Sequence, residues 1–330
     1  MHFYCGKCNK IYPMDTFHYK CECGGLFKLS KEINESVEQT ISLGEMVTPL
    51  LKINLLGMEL FLKLDYLRPT GSFKDRGAFT LINQLKNMGI NKIVEDSSGN
   101  AGAAIAAYAA AADIECSIYL PDSTSHGKIK QITAYGANIV KVPGSRDDTS
   151  IAIQNAANTT YYASHVYNPL FFEGTKSLAK EIYEQVKGIP DYIFVPTGNG
   201  TMLLGLYYGF KEIGKMPRLI AVQSENCCPI YQSYYNLSSK ECTPTIAEGI
   251  AVGTPMRCDE IIAAVRESGG DIITVSDDQV IEAQHTLSKK GVYAEVTSAS
   301  ALAGASKYFH DGKPDNYLVV VPMTGMGLKK

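Results

Sequence analysis

The sequence has little net charge and no long apolar run. Its 330 residues carry a formal net charge of −3, and 20% of them are charged. This balance gives no electrostatic reason to expect nucleic acid or a membrane as a partner. No apolar stretch approaches the length of a transmembrane helix, and the first residues show no charged segment followed by an apolar one. We therefore predict a cytoplasmic protein without a signal peptide.

The spacing of a dinucleotide-binding fingerprint is also missing. Gly198 and Gly200 open a glycine-rich turn, but Gly205 is displaced from the position that GxGxxG requires. A nicotinamide-dependent oxidoreductase is therefore poorly supported. The histidines show neither metal-ligand nor catalytic-triad spacing, and we predict structural or surface roles for them. They are His2, His18, His126, His165, His285 and His310.

The cysteines do not form the framework of a secreted protein. There are nine of them, an odd number, which favours a reducing compartment. Cys5, Cys8, Cys21 and Cys23 form two close pairs, and four thiolates from two such turns can surround one zinc ion tetrahedrally. We predict a structural zinc ribbon over residues 1–30, with four free thiols on a flexible arm as the alternative. The polar residues 31–47 are predicted to be a linker.

The remaining chain alternates between strand and helix patterns. Strands are predicted at 60–64, 92–95, 115–120, 138–142, near 161, and at 192–195, 219–223, 271–275 and 317–321. Helices are predicted after 74, at 101–112, 126–135, 172–186 and 203–210, from the capping pair Ser276 and Gln279 to 289, and at 299–309. Residues 224–258 resist assignment. This alternation predicts an α/β protein with largely parallel sheets, in which ligands bind beyond the carboxyl ends of the strands.

One run, RPTGSFKDRG at 68–77, places a lysine at the start of a predicted helix. Ser72 and Asp75 have the form of a capping box, so Lys74 should lie in the first helical turn. The positive end of the helix dipole disfavours an ammonium there, and a neutral lysine can attack the aldehyde of a cofactor. The alternative is a solvated surface lysine.

Three distinctive turns follow predicted strands. They are SSGN at 97–100, TGNGT at 197–201 and TGMG at 324–327. A glycine-rich turn that opens a helix can bind phosphate through backbone N–H groups, although it also suits an ordinary strand-to-helix connection. The three turns could converge on one cleft.

Together, PTGSFKDRG, SSGN, the glycine and asparagine loop, and the C-terminal TGxGLK resemble the threonine synthases in order and spacing. These are fold type II enzymes that depend on pyridoxal phosphate. The resemblance implies a two-lobed α/β enzyme, with a large cofactor-binding domain at 31–84 and 167–330 and a smaller mobile domain at 85–166. It also implies a homodimer that acts on an amino acid.

The same resemblance implies a role for each motif. Lys74 would form the Schiff base with the cofactor and then take the Cα proton. Thr324 would face the pyridine nitrogen, where a neutral hydroxyl suits elimination and replacement better than transamination. The remaining contacts are to the cofactor phosphate (Gly198, Asn199, Gly200 and Thr201), to its phenolic oxygen (Asn100) and to the substrate carboxylate (Ser97 and Ser98). Glu295 matches a family segment, but we assign it no chemistry.

The chain departs from the threonine synthases at the contacts to the substrate phosphate. Ala101, Phe171 and Met202 stand where the family has Thr, Arg and Asn, and Met326 replaces a His. Phenylalanine cannot make the charge-assisted pair that arginine makes with phosphate. We therefore predict β- or γ-elimination, or replacement, on a substrate other than O-phosphohomoserine. The alternatives are true threonine synthase, a serine or threonine ammonia-lyase, and a catalytically silent zinc-ribbon scaffold.

Overall fold

The computed structural model describes residues 1–31, 36–144, 146–310 and 317–329. Its strands are β1 (His2–Cys5), β2 (Ile11–Tyr12), β3 (Phe27–Ser30), β4 (Leu50–Leu55), β5 (Met58–Lys63), β6 (Lys92–Glu95), β7 (Glu115–Pro121), β8 (Asn138–Val142), β9 (Tyr161–Tyr162), β10 (Tyr192–Pro196), β11 (Arg218–Ser224), β12 (Asp271–Val275) and β13 (Val319–Pro322). Its α-helices are α1 (Lys74–Asn87), α2 (Asn100–Ala111), α3 (His126–Ala134), α4 (Arg146–Ala156), α5 (Pro169–Thr175), α6 (Ser177–Val186), α7 (Thr201–Ile213), α8 (Pro229–Tyr234), α9 (Cys258–Glu267), α10 (Asp277–Lys289) and α11 (Val296–Tyr308). Across the described residues, none of the helices combines the length and the apolar composition that spanning a bilayer requires.

The first of two compact units comprises Met1–Glu45 and Lys74–Gly174. Its main sheet has the order β8-β7-β6-β9, and all three strand pairs are parallel. A separate antiparallel sheet of β2, β1 and β3 forms the N-terminal ribbon. The alanine-rich α2 is buried along most of its length, because small side chains and Gly102 let it lie close to the chain before it. A Cβ on Gly102 would lie 1.8 Å from the Ser97 carbonyl oxygen.

The second unit comprises Met46–Phe73 and Thr175–Lys329. Its six strands have the order β12-β11-β10-β13-β5-β4, and only the edge strand β4 pairs antiparallel. The central β10 has five residues, Tyr-Ile-Phe-Val-Pro, and all of them are buried. Such an unbroken apolar run is typical of a parallel strand that is covered on both faces. The predicted α/β class with parallel sheets is confirmed.

Most predicted elements are present, with two corrections. The helix predicted over 172–186 is two helices, α5 and α6, and the unassigned region is followed by a helix, α9, that the sequence analysis did not place. The capping box predicted at Ser276 and Gln279 is formed. The one predicted at Ser72 is not, because α1 begins at Lys74 and Ser72 therefore lies two residues before the helix. The predicted domain boundaries stay a prediction. The chain passes from one compact unit to the other at 45/46, 73/74 and 174/175.

Part of the predicted linker lies along α1. The N–H groups of Thr40 and Ile41 both donate to the side-chain oxygen of Asn83 in α1, at 2.7 and 2.9 Å. Asn87 donates to the carbonyl of Glu38 at 2.8 Å. This polar segment is therefore held along α1 by side-chain amides. Residues 32–35 of the predicted linker lie outside the described part.

Candidate functional site

The backbone before Lys74 is held in place by the C-terminal turn. Gly71 has a φ of +83°, which only glycine adopts without strain, and its carbonyl accepts from the Met326 N–H at 3.0 Å. The Phe73 N–H donates to the Thr324 carbonyl at 2.9 Å. Lys74 is the next residue and the first of α1, which places it in the first helical turn as predicted.

Ser72, two residues before Lys74, is a buried polar group without a visible partner. Its side-chain oxygen is buried and makes no hydrogen bond to any described residue. Buried hydroxyls in folded proteins nearly always have a partner. A buried hydroxyl without a partner, two residues before Lys74, indicates that a bound group completes the site.

The Lys74 side chain lies beside Phe171. Its Nζ is 5.7 Å from the centre of the Phe171 ring, and Phe171 is fully buried. The ring also lies against α1, because a Cβ on Gly77 would be 2.2 Å from Phe171 Cδ1. Phe171 thus occupies the space next to the lysine.

The SSGN turn connects the carboxyl end of β6 to α2. The Ser97 hydroxyl accepts from the Gly99 N–H at 3.3 Å, and Asn100 is the first residue of α2. Ser97, Ser98 and Asn100 are partly exposed, whereas Ala101 is buried. The polar residues of this turn are therefore accessible at the strand edge where ligands bind in such sheets.

The glycine loop connects the buried β10 to the start of α7. A Cβ on Gly198 would lie 3.0 Å from Val252 Cγ2 and 3.1 Å from the Ile250 backbone, and Gly200 has a φ of +75°. Within the described part of the chain, the N–H groups of Asn199 and Gly200 donate to no acceptor. N–H groups presented at a helix N-terminus suit an anion such as phosphate.

Thr324 is buried in a small polar network. Its hydroxyl donates to Glu295 Oε1 at 2.9 Å and lies 2.8 Å from the Ser298 hydroxyl. The Ser298 oxygen also accepts from the N–H groups of Thr324 and Gly325 at 2.9 and 3.1 Å. Glu295, to which the sequence analysis assigned no chemistry, therefore orients the Thr324 hydroxyl.

The four N-terminal cysteines converge as predicted. Their sulfur atoms all lie within 4.8 Å of one another, and Cys5–Cys23 and Cys8–Cys21 are 3.5 and 3.6 Å apart. The Lys7 and Cys8 N–H groups donate to Cys5 Sγ at 3.3 and 3.4 Å. A hydrogen bond from the Tyr12 hydroxyl is the main cause that lowers the pKa of Cys21, to about 6. These hydrogen bonds favour the thiolate form of Cys5 and Cys21, which is the form that binds metal, whereas the neighbouring sulfurs raise the pKa of Cys8 to about 12.

The comparison with known proteins decides the family. The family model described as "Pyridoxal-phosphate dependent enzyme" matches residues 41–325. The chain belongs to this family of pyridoxal-phosphate-dependent enzymes. The threonine synthase of Methanocaldococcus jannaschii is 32% identical to it, over 98% of this chain and 92% of that protein. The threonine synthase of Bacillus sp. (strain ULM1) is 36% identical, over 90% of this chain and 87% of that protein.

Two solved enzyme structures share the fold. The processed form of threonine deaminase isoform 2 from Solanum lycopersicum has a TM-score of 0.75 and 23% identity, over 85% of this chain and 79% of that one. Maize serine racemase has a TM-score of 0.75 and 24% identity, over 86% of this chain and 89% of that one. The predicted threonine-synthase-like, fold type II lyase is thereby confirmed at the level of the family.

The residues present fit this cofactor. The glycine loop offers N–H groups to a phosphate, Lys74 lies at a helix start, and the Ser72 hydroxyl lacks a partner among the described residues. The residues that the sequence assigns to the site are divided between the two units. The first unit carries Lys74, Ser97, Ser98, Asn100, Ala101 and Phe171, and the second carries Gly198, Asn199, Gly200, Thr201 and Thr324.

The structure also contains a buried acid–base pair that was not predicted from the sequence. His165 Nδ1 lies 2.7 Å from Glu95 Oε1, and both residues are buried. Seventy positions separate them in the chain. One sign was present in the sequence: Glu95 is an acidic residue at the end of a predicted strand, two residues before the turn at 97–100.

Proposed function

We propose that this enzyme catalyses β- or γ-elimination, or replacement, on an amino acid other than O-phosphohomoserine. The burial of Phe171 carries the proposal. Its ring is fully buried against Gly77 and lies beside the Lys74 amine. An apolar ring at the position of the family's arginine supplies no cation to pair with a substrate phosphate.

Ala101 and Met202 support the same conclusion. Each is the second residue of its helix, α2 or α7, and each is buried. Neither side chain has a donor that could replace the hydroxyl or amide found there in the threonine synthases. A less charged side chain on the substrate would suit these residues.

We assign separate roles in this reaction to Lys74 and to the glycine loop. Pyridoxal phosphate, when bound, would supply an electron sink for the pair released at the substrate Cα. Lys74 would hold the cofactor through its amine, and the freed amine would take the Cα proton as a general base. The loop Gly198 to Thr201 would bind the cofactor phosphate.

The other assigned residues orient the reactants. Thr324, held by Glu295 and Ser298, would face the pyridine nitrogen. Asn100 would donate to the phenolic oxygen, and Ser97 and Ser98 would bind the substrate carboxylate. This assignment rests on the match of these motifs to the family and on the exposure of the 97–100 turn.

Restoring the cation tests the proposal. We expect Phe171→Arg, alone or with Ala101→Thr and Met202→Asn, to raise the turnover of O-phosphohomoserine relative to the parent enzyme. The apolar variant Phe171→Leu serves as the matched control and should bring no gain. A folded, cofactor-loaded Phe171→Arg variant without any gain would count against this account of the substrate.

A second candidate function is threonine synthase activity itself. It is favoured by the relatives of that name, which are 32% and 36% identical over most of the chain. Formation of threonine and phosphate from O-phosphohomoserine by the parent enzyme would support this candidate.

We further propose a structural zinc ion at Cys5, Cys8, Cys21 and Cys23. Zn–S bonds of about 2.3 Å in a tetrahedral site place the sulfurs about 3.8 Å apart, close to the 3.5 and 3.6 Å found here. A closed four-sulfur site would stabilise the ribbon and leave no position for a substrate. Metal analysis of the purified protein should give one zinc per chain, and Cys8→Ser should lower that content whereas Cys258→Ser should not.

We also propose a cytoplasmic homodimer, on the resemblance of the motifs and the cysteine usage. Light scattering coupled to size-exclusion chromatography should give twice the chain mass of 36.0 kDa. A monomer at micromolar concentration would contradict the dimer.

A further inference from the structure

Glu95 and His165 lie at the same edge of the first unit's sheet. Glu95 is the last residue of β6, and His165 follows β9, the parallel neighbour of β6. The Ala163 N–H donates to the Val94 carbonyl at 2.9 Å, which continues the strand pairing up to these residues. The register of the two strands therefore brings the carboxylate and the imidazole together at their carboxyl ends.

The pair is buried, and of its two side chains only that of His165 keeps some exposed surface. The Glu95 side chain is 0% exposed, whereas the His165 side chain keeps 11% of its surface exposed. A buried carboxylate is costly unless a donor compensates it, and His165 Nδ1 fills that role at 2.7 Å. Because Nδ1 is bonded to Glu95, a proton transfer from His165 to a ligand would go through Nε2.

His165 and the proposed base, Lys74, both lie beside the ring of Phe171. The His165 ring centre is 6.0 Å from the Phe171 ring centre, and Lys74 Nζ is 5.7 Å from that same centre. The turn at 97–100, which we assign to the substrate carboxylate, starts two residues after Glu95. Two groups that can transfer protons therefore lie within about 6 Å of one buried ring, and one of them, His165, follows a strand at the sheet edge where ligands bind in such folds.

We propose that His165, held by Glu95, protonates the leaving oxygen of the substrate. This rests on the proposed elimination or replacement reaction. The Cα–H bond breaks and its proton goes to the Lys74 amine, while the bonding pair forms the Cα–Cβ double bond. The Cβ–O bond breaks, its electron pair stays on the oxygen, and that oxygen takes the proton from His165 Nε2. His165 is left neutral and regains a proton from water.

The chemistry of the leaving group explains the need for such an acid. Hydroxide and alkoxide are poor leaving groups, and a positioned general acid typically contributes about 10²–10⁴-fold in rate. A phosphate leaves without this help. An enzyme that has lost the phosphate contacts would gain from an acid at this position.

Leaving-group dependence tests the proposal. We expect His165→Gln to lower kcat for elimination of water from serine by about 100-fold or more. With β-chloroalanine the same variant should lose less than about threefold, because chloride leaves without a proton. Glu95→Gln should show a weaker loss with the same selectivity, and His285→Gln, at an exposed histidine, should change neither rate. Equal losses on both substrates, or no loss on serine, would overturn the proposal.

A binding experiment gives a readout that does not depend on turnover. In the cofactor-loaded, histidine-labelled protein, the NMR signals of His165 can be assigned by their loss in His165→Gln. O-Methylserine, which carries an oxygen on Cβ, should shift these signals, and alanine should not. Visible absorbance of the cofactor reports binding of both amino acids. An absorbance change without a His165 shift would overturn this proposal alone. No absorbance change with any amino acid would overturn the proposed function and this inference with it.

Discussion

The ring of Phe171 lies where a side chain at position 77 would have to be. A Cβ built on Gly77 falls 2.2 Å from Phe171 Cδ1 and 2.3 Å from Cε1. Gly77 is the fourth residue of α1 and Phe171 belongs to α5. The missing side chain therefore allows the ring to approach the helix that begins with Lys74.

We expect Gly77→Ala to destabilise the protein by roughly 1–3 kcal/mol, as overpacked cores do, although alanine favours the helix by about 1 kcal/mol. Urea unfolding measures this change. Combining it with Phe171→Leu should recover part of the loss, because the smaller side chain makes room. Gly127→Ala is the matched control, since a Cβ there meets nothing within 4 Å and α3 should gain or keep stability.

The two ends of α7 allow a matched test of the glycine loop. Gly200 and Gly214 flank this helix, with φ of +75° and +84°. Alanine at either position strains the backbone by about 1–2 kcal/mol, and at Gly200 its Cβ would also lie 2.4 Å from Ile261 Cδ1. We expect only Gly200→Ala to weaken cofactor binding, by about tenfold or more, which corresponds to at least about 1.4 kcal/mol. Titration of the apo-protein with pyridoxal phosphate measures this, and equal affinities for both variants would contradict the assignment of the loop.

A buried ion network holds the strand that leads to the lysine motif. Lys63 Nζ and Arg68 Nη2 contact the two carboxylate oxygens of Glu181 at 2.6 and 2.8 Å. Removing the charge of a buried pair typically costs about 3–5 kcal/mol, and we expect Glu181→Gln to lose that much stability. Glu212→Gln, which removes a more exposed partner of Lys176, should cost about 0–1 kcal/mol. Similar midpoints of denaturation for the two variants would rule out a stabilising role for the network.

The ribbon contacts the segment that carries His165. Tyr161 donates to the Met14 carbonyl at 3.1 Å, and the Tyr19 ring lies 5.7 and 5.0 Å from those of Tyr162 and Tyr167. We expect Cys21→Ser to raise amide hydrogen exchange in residues 161–169, because the loosened ribbon no longer holds these rings. Exchange in β10 should stay unchanged. Unaltered exchange at 161–169 in a zinc-free variant would show that the ribbon does not stabilise them.

The parts that could be predicted from sequence are those set by local chemistry. Lys74 at a helix start, the converging cysteines and the capping pair at Ser276 and Gln279 each follow from neighbouring residues. The capping box at Ser72 failed, although its spacing was right. Ser72 forms a bridge with Gly325, and this contact holds it in the extended chain before the helix.

The contacts that could not be predicted join residues that are far apart in the sequence, and they depend on how the strands and turns pair. Glu95 and His165 meet only because β6 and β9 pair in parallel, and no local pattern reveals that contact. The link from Thr324 to Glu295 likewise joins two turns 29 positions apart. Helix α9 begins after Arg257, whose side chain makes no capping hydrogen bond, so the sequence carries no N-cap residue that marks its start.

The substrate preference of the cofactor-loaded enzyme tests the central claim most directly. Parallel assays would supply O-phosphohomoserine, O-phosphoserine, O-acetylserine, serine and threonine, and would measure released phosphate, oxo acid and threonine. We predict that a β-substituted amino acid yields oxo acid or a replacement product with a higher kcat/KM than O-phosphohomoserine. Efficient formation of threonine and phosphate from O-phosphohomoserine, above every other substrate, would contradict the account.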